Sequence, residues 1–334
     1  MTEASAINFI KRTNRRVWRP LAVYSALVCS FAALLLPIAA RATENGACVY
    51  PVGVETVMPG MTPPPHATML FEFTAFYTAN QIDNSAGQSA APEFKVRVLA
   101  NAFRLMHNWN VPILGGKLNS NIAVPEIYQQ LHIAPGDFSK SGLSNVDIGV
   151  FQVGYAAGSL HWFYEGDLFL PGAPHVKTDI LNIGQNNYAA GPVAGLTWLP
   201  RHGEGEVSSK FLYLVNFHDT ATHYRGGNEF MWEYDSMKEV TPRMAVGING
   251  YLYQQTTNDL LNGLPVTALN GAPVSVGYRG RDLTVGPEVR IHFGKHSALA
   301  VKYLRDTLVE NKPRGNAFWF QLGVPLSLGA APGR

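Results

Sequence analysis

Cysteine is nearly absent from this 334-residue chain, which carries only Cys29 and Cys48. Cys29 falls in an apolar run near the N-terminus that reads as an export signal, so a processed chain keeps Cys48 alone and can form no internal disulfide. Cys48 lies behind Glu44-Asn45-Gly46-Ala47, whereas a lipid-anchored cysteine would directly follow the apolar run. Charge is also sparse, at 15% of residues. Beyond residue 42 no stretch has the roughly 20 apolar residues that a membrane helix needs. No G-x-S-x-G elbow and no Walker loop occurs there, so no nucleophile or phosphate-binding chemistry is signalled and no enzyme is expected. No clustered basic face points to a nucleic-acid partner.

The N-terminus differs from the rest. Lys11, Arg12, Arg15, Arg16 and Arg19 stand against Glu3, Leu21 to Ala40 runs without a charge, and Ala40-Arg41-Ala42 offers a small-x-small cleavage pattern. Basic, apolar and cleavable regions in that order read as a secretory signal over 1–42, with the mature chain starting at Thr43. An uncleaved anchor helix is the alternative, because the apolar run is long enough to span a bilayer. Arg15-Arg16 resembles part of a twin-arginine signal, and nothing around the pair completes one. Removal of 1–42 takes away six basic residues and one acid, leaving 20 basic against 23 acidic, net −3.

Residues 43–65 lack period and carry Pro51, Pro59, Pro63, Pro64 and Pro65, which rules out a regular element. They read as a periplasmic lead-in or a plug. From His66 the pattern becomes period two. In 281–293, Leu283, Val285, Pro287, Val289, Ile291 and Phe293 share one face, and Asp282, Thr284, Glu288, Arg290 and His292 the other. Glu206–His218, Asn228–Lys238 and Ser159–Leu170 repeat the alternation, and 66–80, 93–108, 111–124, 145–155, 188–199, 243–256, 297–308 and 315–328 complete twelve expected strands. In 93–108 the apolar phase slips near Ala100, which predicts a bulge there.

Long and short connections alternate. The long set is 81–92, 125–144, 171–187, 219–227, 257–280 and 309–314. The short set includes Trp109-Asn110, Ala156-Ala157-Gly158 and Thr241-Pro242. Outer-membrane barrels alternate short periplasmic turns with longer external loops, and an even count returns both termini to the periplasm. A soluble β-sandwich also alternates polar and apolar faces. The expected strands reach bilayer-spanning length, and Tyr188, Trp198, Trp162 and Trp319 fall near strand ends, as interface girdles do. The fold class is therefore all-β, a transmembrane antiparallel barrel of about 12 strands over 66–328, followed by a tail, 329–334.

Local sequences carry a resemblance. Gly142-Leu143-Ser144-Asn145-Val146-Asp147, Leu181-Asn182-Ile183-Gly184-Gln185-Asn186-Asn187-Tyr188, Thr222 to Phe230, Gly250 to Asp259 and Val285-Gly286-Pro287-Glu288 follow one another in order and spacing. Together they resemble the outer-membrane, transporter-like family labelled phenol meta-pathway degradation proteins, from about His66 to Leu328. The resemblance implies uptake of aromatic or other hydrophobic compounds and no catalytic residues. Its external-loop motif here is Tyr224, Gly226, Gly227 and Glu229.

The candidate functional residues are charges on the inward face: Glu165, Asp167, Lys210, Glu233, Asp235, Glu288, Arg290 and Lys302. They must point into a lumen, because Arg or Lys facing lipid costs about 2–4 kcal/mol near mid-bilayer. They form either a selectivity lining or an ion-paired interior that closes the barrel. His218, Asp219 and His223 are the nearest approach to a metal cluster and lack a third rigid ligand. Glu204-Gly205-Glu206 reads as a solvated turn. No metal and no cofactor is called for. The expected partners are small organic solutes, outer-membrane lipid and, during biogenesis, the barrel assembly machinery. The leading function is a channel for small, aromatic or hydrophobic compounds. The alternative is a closed structural or adhesive barrel that binds a partner through its external loops.

Overall fold

A computed structural model describes residues 48–328, apart from 135, 173–174, 177–178, 201–203, 270–271 and 295. The expected signal at 1–42, its processing point at Thr43 and the tail at 329–334 lie outside the described residues. Thirteen strands form one antiparallel sheet: β1 (Thr68–Ile82), β2 (Lys95–Ile113), β3 (Gly116–Ile133), β4 (Gly136–Leu143), β5 (Val146–Ala157), β6 (Leu160–Leu170), β7 (Ala189–Trp198), β8 (Gly205–Asn216), β9 (Glu229–Thr241), β10 (Met244–Gln255), β11 (Arg281–Gly294), β12 (Ser297–Glu310) and β13 (Pro313–Ser327). β1 pairs with β13, and the pairing of β2 with β3 closes the ring. β4 and β5 share one position, because both pair with β3, β4 against 126–133 and β5 against 117–123. The result is a closed barrel of twelve strand positions. Closure pairs both edges of the ring strands, as a lipid environment requires, and leaves only β4, on the upper part of β3, with a single partner.

Alternation sets inside from outside. On β11, Asp282, Thr284, Glu288 and Arg290 are buried, while Val285, Val289, Ile291 and Phe293 are exposed on the outer wall. On β8, Ser208, Lys210, Leu212 and Leu214 are buried, and Val207, Phe211 and Val215 are exposed. Phe211 stacks on the outward Trp232 of β9 at 6.3 Å. The outer wall is thus an apolar surface with no protein to cover it, the chemistry that lipid covers.

Several expectations are corrected. No bulge occurs near Ala100: β1 and β2 stay in register from Thr68↔His107 to Ala79↔Val96. The apparent slip arises because Val96 and Val98 face inward, where they pack with Ala79, Phe94, Leu131 and Ile133. The register shift on β2 falls instead between Asn108 and Pro112. Asn110, read as a turn residue, takes its positive φ of 53° within that irregular stretch. The turn is Leu114-Gly115, with φ of 48° and 81°. Positive φ at both central residues is what a tight hairpin of right-twisted strands demands. The span 125–144 is not a loop: β3 and β4 carry the hairpin to Ile133↔Gly136. The first strand begins at Thr68 rather than His66. Trp319 is not in a girdle. It is buried inside, with Lys302 Nζ 5.5 Å from its ring centroid.

Residues 48–67 run through the barrel interior before β1 begins. Tyr50 hydroxyl reaches Glu233 at 3.1 Å, Gly60 N–H reaches Thr197 Oγ1 at 3.0 Å, and Asn108 Nδ2 donates to Pro63 O at 2.7 Å. The segment therefore passes from the loop-bearing end of the wall toward the turn-bearing end. At Gly60 the approach is so close that a Cβ would lie 2.4 Å from Thr197 N and 2.5 Å from His161 O, so only glycine fits. A segment without its own secondary structure must find partners elsewhere for its buried amides. The barrel wall supplies them.

Candidate functional site

The interior holds two charge clusters, and the threading segment joins one of them. Glu55 of that segment bridges Arg104 of β2 and Lys210 of β8. Arg104 Nε also donates to Asn121 at 3.0 Å and stands 4.0 Å from Glu165. Lys210 Nζ lies 4.8 Å from the Tyr50 ring centroid. Glu233 accepts from Gly53 N–H at 2.5 Å and from the Tyr50 hydroxyl. Lys302 Nζ donates to the carbonyls of Gly53 and Val54 at 2.9 and 3.1 Å, and to Thr56 Oγ1 at 3.1 Å. Buried charges without partners are expensive. Here the wall and the segment partner each other, so the segment is held across the lumen by specific bonds.

The second cluster sits nearer the turn-bearing end. Arg290 of β11 binds Asp235 at 2.8 Å, Glu288 at 3.0 Å, and Glu206 of β8. Glu206 also accepts from Met58 N–H at 3.0 Å, which ties this cluster to the segment too. Of Glu204-Gly205-Glu206, read as a solvated turn, only Glu204 is an exposed turn residue, while Gly205 and Glu206 belong to β8. Glu206 is buried because it is the first inward residue of β8.

All eight candidate residues are buried. Asp235, Glu288 and Arg290 come together. Lys210, Glu233 and Lys302 gather on the segment. Glu165 accepts from Asn121 and from Gln152 at 3.0 Å, while Asp167 has no hydrogen-bond or ion-pair partner. Sequence reading missed Glu55, Arg104 and Glu206. Arg104 carried a usable signal, an Arg between Phe103 and Leu105 in unbroken alternation. Glu55 carried none, because its segment has no period.

Above the segment, toward the loops, lies a cavity of about 1100 Å³. Its floor is Cys48, Tyr50 and Val52, and its walls include Tyr77, Val98, Leu131, Leu181, Tyr251 and Tyr253. Polar side chains line it too, among them Asn84, Gln129, Asn182, Gln185, Asn311 and Lys312. Tyr251 hydroxyl donates to Asp282 at 2.9 Å, and Tyr77 hydroxyl to Asp306 at 3.0 Å. Lys312 Nζ lies 4.2 Å from the Tyr253 ring centroid. Apolar walls with polar groups held in place are what small-molecule pockets show.

The loop motif is divided between two places. Gly227 N–H donates to Asp259 Oδ1 at 2.7 Å, Tyr224 hydroxyl also bonds Asp259, and Gln255 adds a third bond at 2.7 Å. These contacts clasp the loops 217–228 and 256–280. Burial raises the Asp259 carboxyl above its ordinary range, against the lowering pull of the Tyr224 and Gly227 hydrogen bonds. Burial and the nearby Asp259 push Tyr278 up to about 12. Gly226 is buried in the clasp. Glu229 leaves the loop: it opens β9, faces the lumen, and accepts from Tyr253 at 2.9 Å and from Cys48 Sγ at 3.3 Å. Asp219 is buried and caps the loop amides of Ala221 and Thr222 at 2.5 and 3.1 Å. Among the described residues, no three His, Cys, Asp or Glu side chains are grouped to hold a metal ion.

Residues 79–322 match the family described as "Putative MetA-pathway of phenol degradation". The chain belongs to this family. The match runs from the end of β1 to the last third of β13. No curated protein matches the chain in sequence. Among solved structures, an outer membrane channel from Pseudomonas putida F1 is similar, with 15% identity and a TM-score of 0.65. That likeness covers 79% of this chain and 96% of the channel, and it shows a shared outer-membrane barrel fold. A Pseudomonas aeruginosa FadL homologue covers 86% of this chain and 98% of its own at 8% identity, with a TM-score of only 0.34. As a family member with this fold, the chain is an outer-membrane β-barrel.

Proposed function

We propose that the protein is a passive outer-membrane channel for small organic molecules, aromatic and other hydrophobic compounds in particular. The observation that carries this reading is the cavity of about 1100 Å³ inside the loop-bearing mouth, walled by apolar and tyrosine side chains. Desolvation of an apolar solute there is favourable by roughly 25 cal/mol per Å² buried. Tyr251 and Tyr253 offer ring faces for stacking, and Asp282 and Lys312 in the lining offer polar partners for a solute hydroxyl. The likeness to an outer membrane channel and the phenol-degradation label of the family point the same way.

In this reading residues 48–67 act as a plug that holds back larger hydrophilic solutes, and passage requires the plug to yield. The eight inward charges would then hold the plug or set selectivity around it. Both termini lie on the periplasmic side, and 1–42 is removed as the export signal, so that mass spectrometry finds a mature chain beginning at Thr43. The test is uptake by proteoliposomes. Folded protein should admit phenol and neutral aromatics faster than protein-free liposomes. Folded protein that admits none would overturn the proposal.

A further inference from the structure

The lumen is unbalanced in charge. Around the segment eight carboxylates are buried, Glu55, Asp147, Glu165, Asp167, Glu206, Glu233, Asp235 and Glu288, against the four cations Arg104, Lys210, Arg290 and Lys302, and Glu229, Asp282 and Asp306 are buried nearer the loops. Each cation is already engaged: Arg104 and Lys210 by Glu55, Lys302 by segment carbonyls, and Arg290 by three acids. Asp147 and Asp167 are left over. Both are more than nine-tenths buried, and neither has a hydrogen-bond or ion-pair partner.

They are not alone on that wall. Gln152 Oε1 and Asn119 Oδ1 are also buried and unpartnered. All four oxygens are acceptors, so what the wall lacks is a donor or a cation. The strand register stacks them. Asp147 lies opposite Phe169, two residues along β6 from Asp167, while Gln152 lies opposite Glu165 on β6 and Asn119 on β3. From Asp147 to Gln152 along β5 the column covers about 16 Å, given roughly 3.3 Å per residue. Gly149 keeps the column clear, because a Cβ there would fall 1.8 Å from Glu165 Oε1.

We infer that this β3–β5–β6 wall is a path for small monovalent cations, which pass the segment 48–67 from carboxylate to amide oxygen along the column. An oxygen-only donor set suits hard cations. Among the described residues no three acidic, His or Cys side chains are grouped to hold a metal ion, which favours weak successive sites over one tight divalent site. Conduction needs sites of that kind, strong enough to enter and weak enough to leave. The inference rests on the barrel fold and the threaded segment and not on any solute.

Planar-bilayer recordings across a KCl gradient test it. The intact protein should carry a small current with K⁺ preferred over Cl⁻, and Asp147→Asn with Asp167→Asn should bring that preference close to parity. Each single variant serves where the double one fails to give a heat-modifiable band, and each should lose part of the preference. An intact protein that passes no K⁺, or prefers Cl⁻, would overturn the inference, as would variants with an unchanged reversal potential. Aromatic uptake by the same protein reports separately: uptake without K⁺ current sinks this inference alone, and K⁺ current without uptake sinks only the solute reading.

Discussion

Glu55 and Lys210 form a buried ion pair across 155 residues of sequence, one on a segment without secondary structure and the other on the inner face of β8. Arg104 completes the bridge from the far side of Glu55. Loss of one member of a buried pair leaves an uncompensated charge and costs about 3–5 kcal/mol. Glu55→Gln should therefore loosen the segment and raise single-channel conductance or open time in planar bilayers. Conductance identical to the parent would mean that Glu55 does not hold the segment in place.

Adjacent positions on β8 should behave oppositely. Lys210 is buried, while Phe211 is exposed on the outer wall and stacked on Trp232. Phe211→Arg should cost roughly 2–4 kcal/mol at mid-depth and reduce assembly. Lys210→Glu should assemble and release the segment by repelling Glu55 and Glu233. Heat-modified gel mobility reads assembly in both. Normal folding of Phe211→Arg with failure of Lys210→Glu would reverse the inside–outside assignment.

The inner and outer faces were legible where alternation was clean. β11 shows it best, with charges at Asp282, Glu288 and Arg290 against Val285, Val289 and Phe293. Legibility failed for three physical reasons. Inside the mouth the lumen is itself apolar, so inward Val96 and Val98 imitated a phase slip. Asn110 at positive φ serves an irregular stretch of strand as well as it would serve a turn. The segment with Glu55 has no regular hydrogen bonding of its own, so only the folded barrel reveals its partners. Asp147 was named only within the motif Gly142–Asp147 and not among the inward charges, because it stands at the very start of the expected strand 145–155, where alternation has scarcely begun.

Arg290 should matter more for stability than for opening. It forms ion pairs with Glu206, Asp235 and Glu288, all buried. Arg290→Met should destabilise the barrel by about 3–5 kcal/mol, because three carboxylates lose their cation. A lower temperature for the loss of the compact gel band checks this, and partial recovery in Arg290→Met with Glu206→Gln should follow. An unchanged transition temperature would deny the cluster its structural role.

The loop clasp should depend on pH. The folded-state pKa of Asp259 is raised by burial, so its contribution is full in acid and is lost as pH rises through that raised value. Limited proteolysis should cut loops 217–228 and 256–280 more slowly near pH 4 than near pH 8, and Asp259→Asn should flatten the difference. Equal cleavage of the parent at both values would contradict the clasp.

Solute passage past the threaded segment is the central claim, and a cross-link tests it most directly. Cys48 Sγ lies 3.3 Å from Glu229 Oε2, so Glu229→Cys places a second thiol within reach of the natural one. A short bis-maleimide would then pin the top of the segment to β9. Aromatic uptake by proteoliposomes should proceed in Glu229→Cys before treatment and fall to the level of protein-free liposomes after it. Uptake that continues undiminished with the segment pinned would show that solutes do not cross through the lumen in this way.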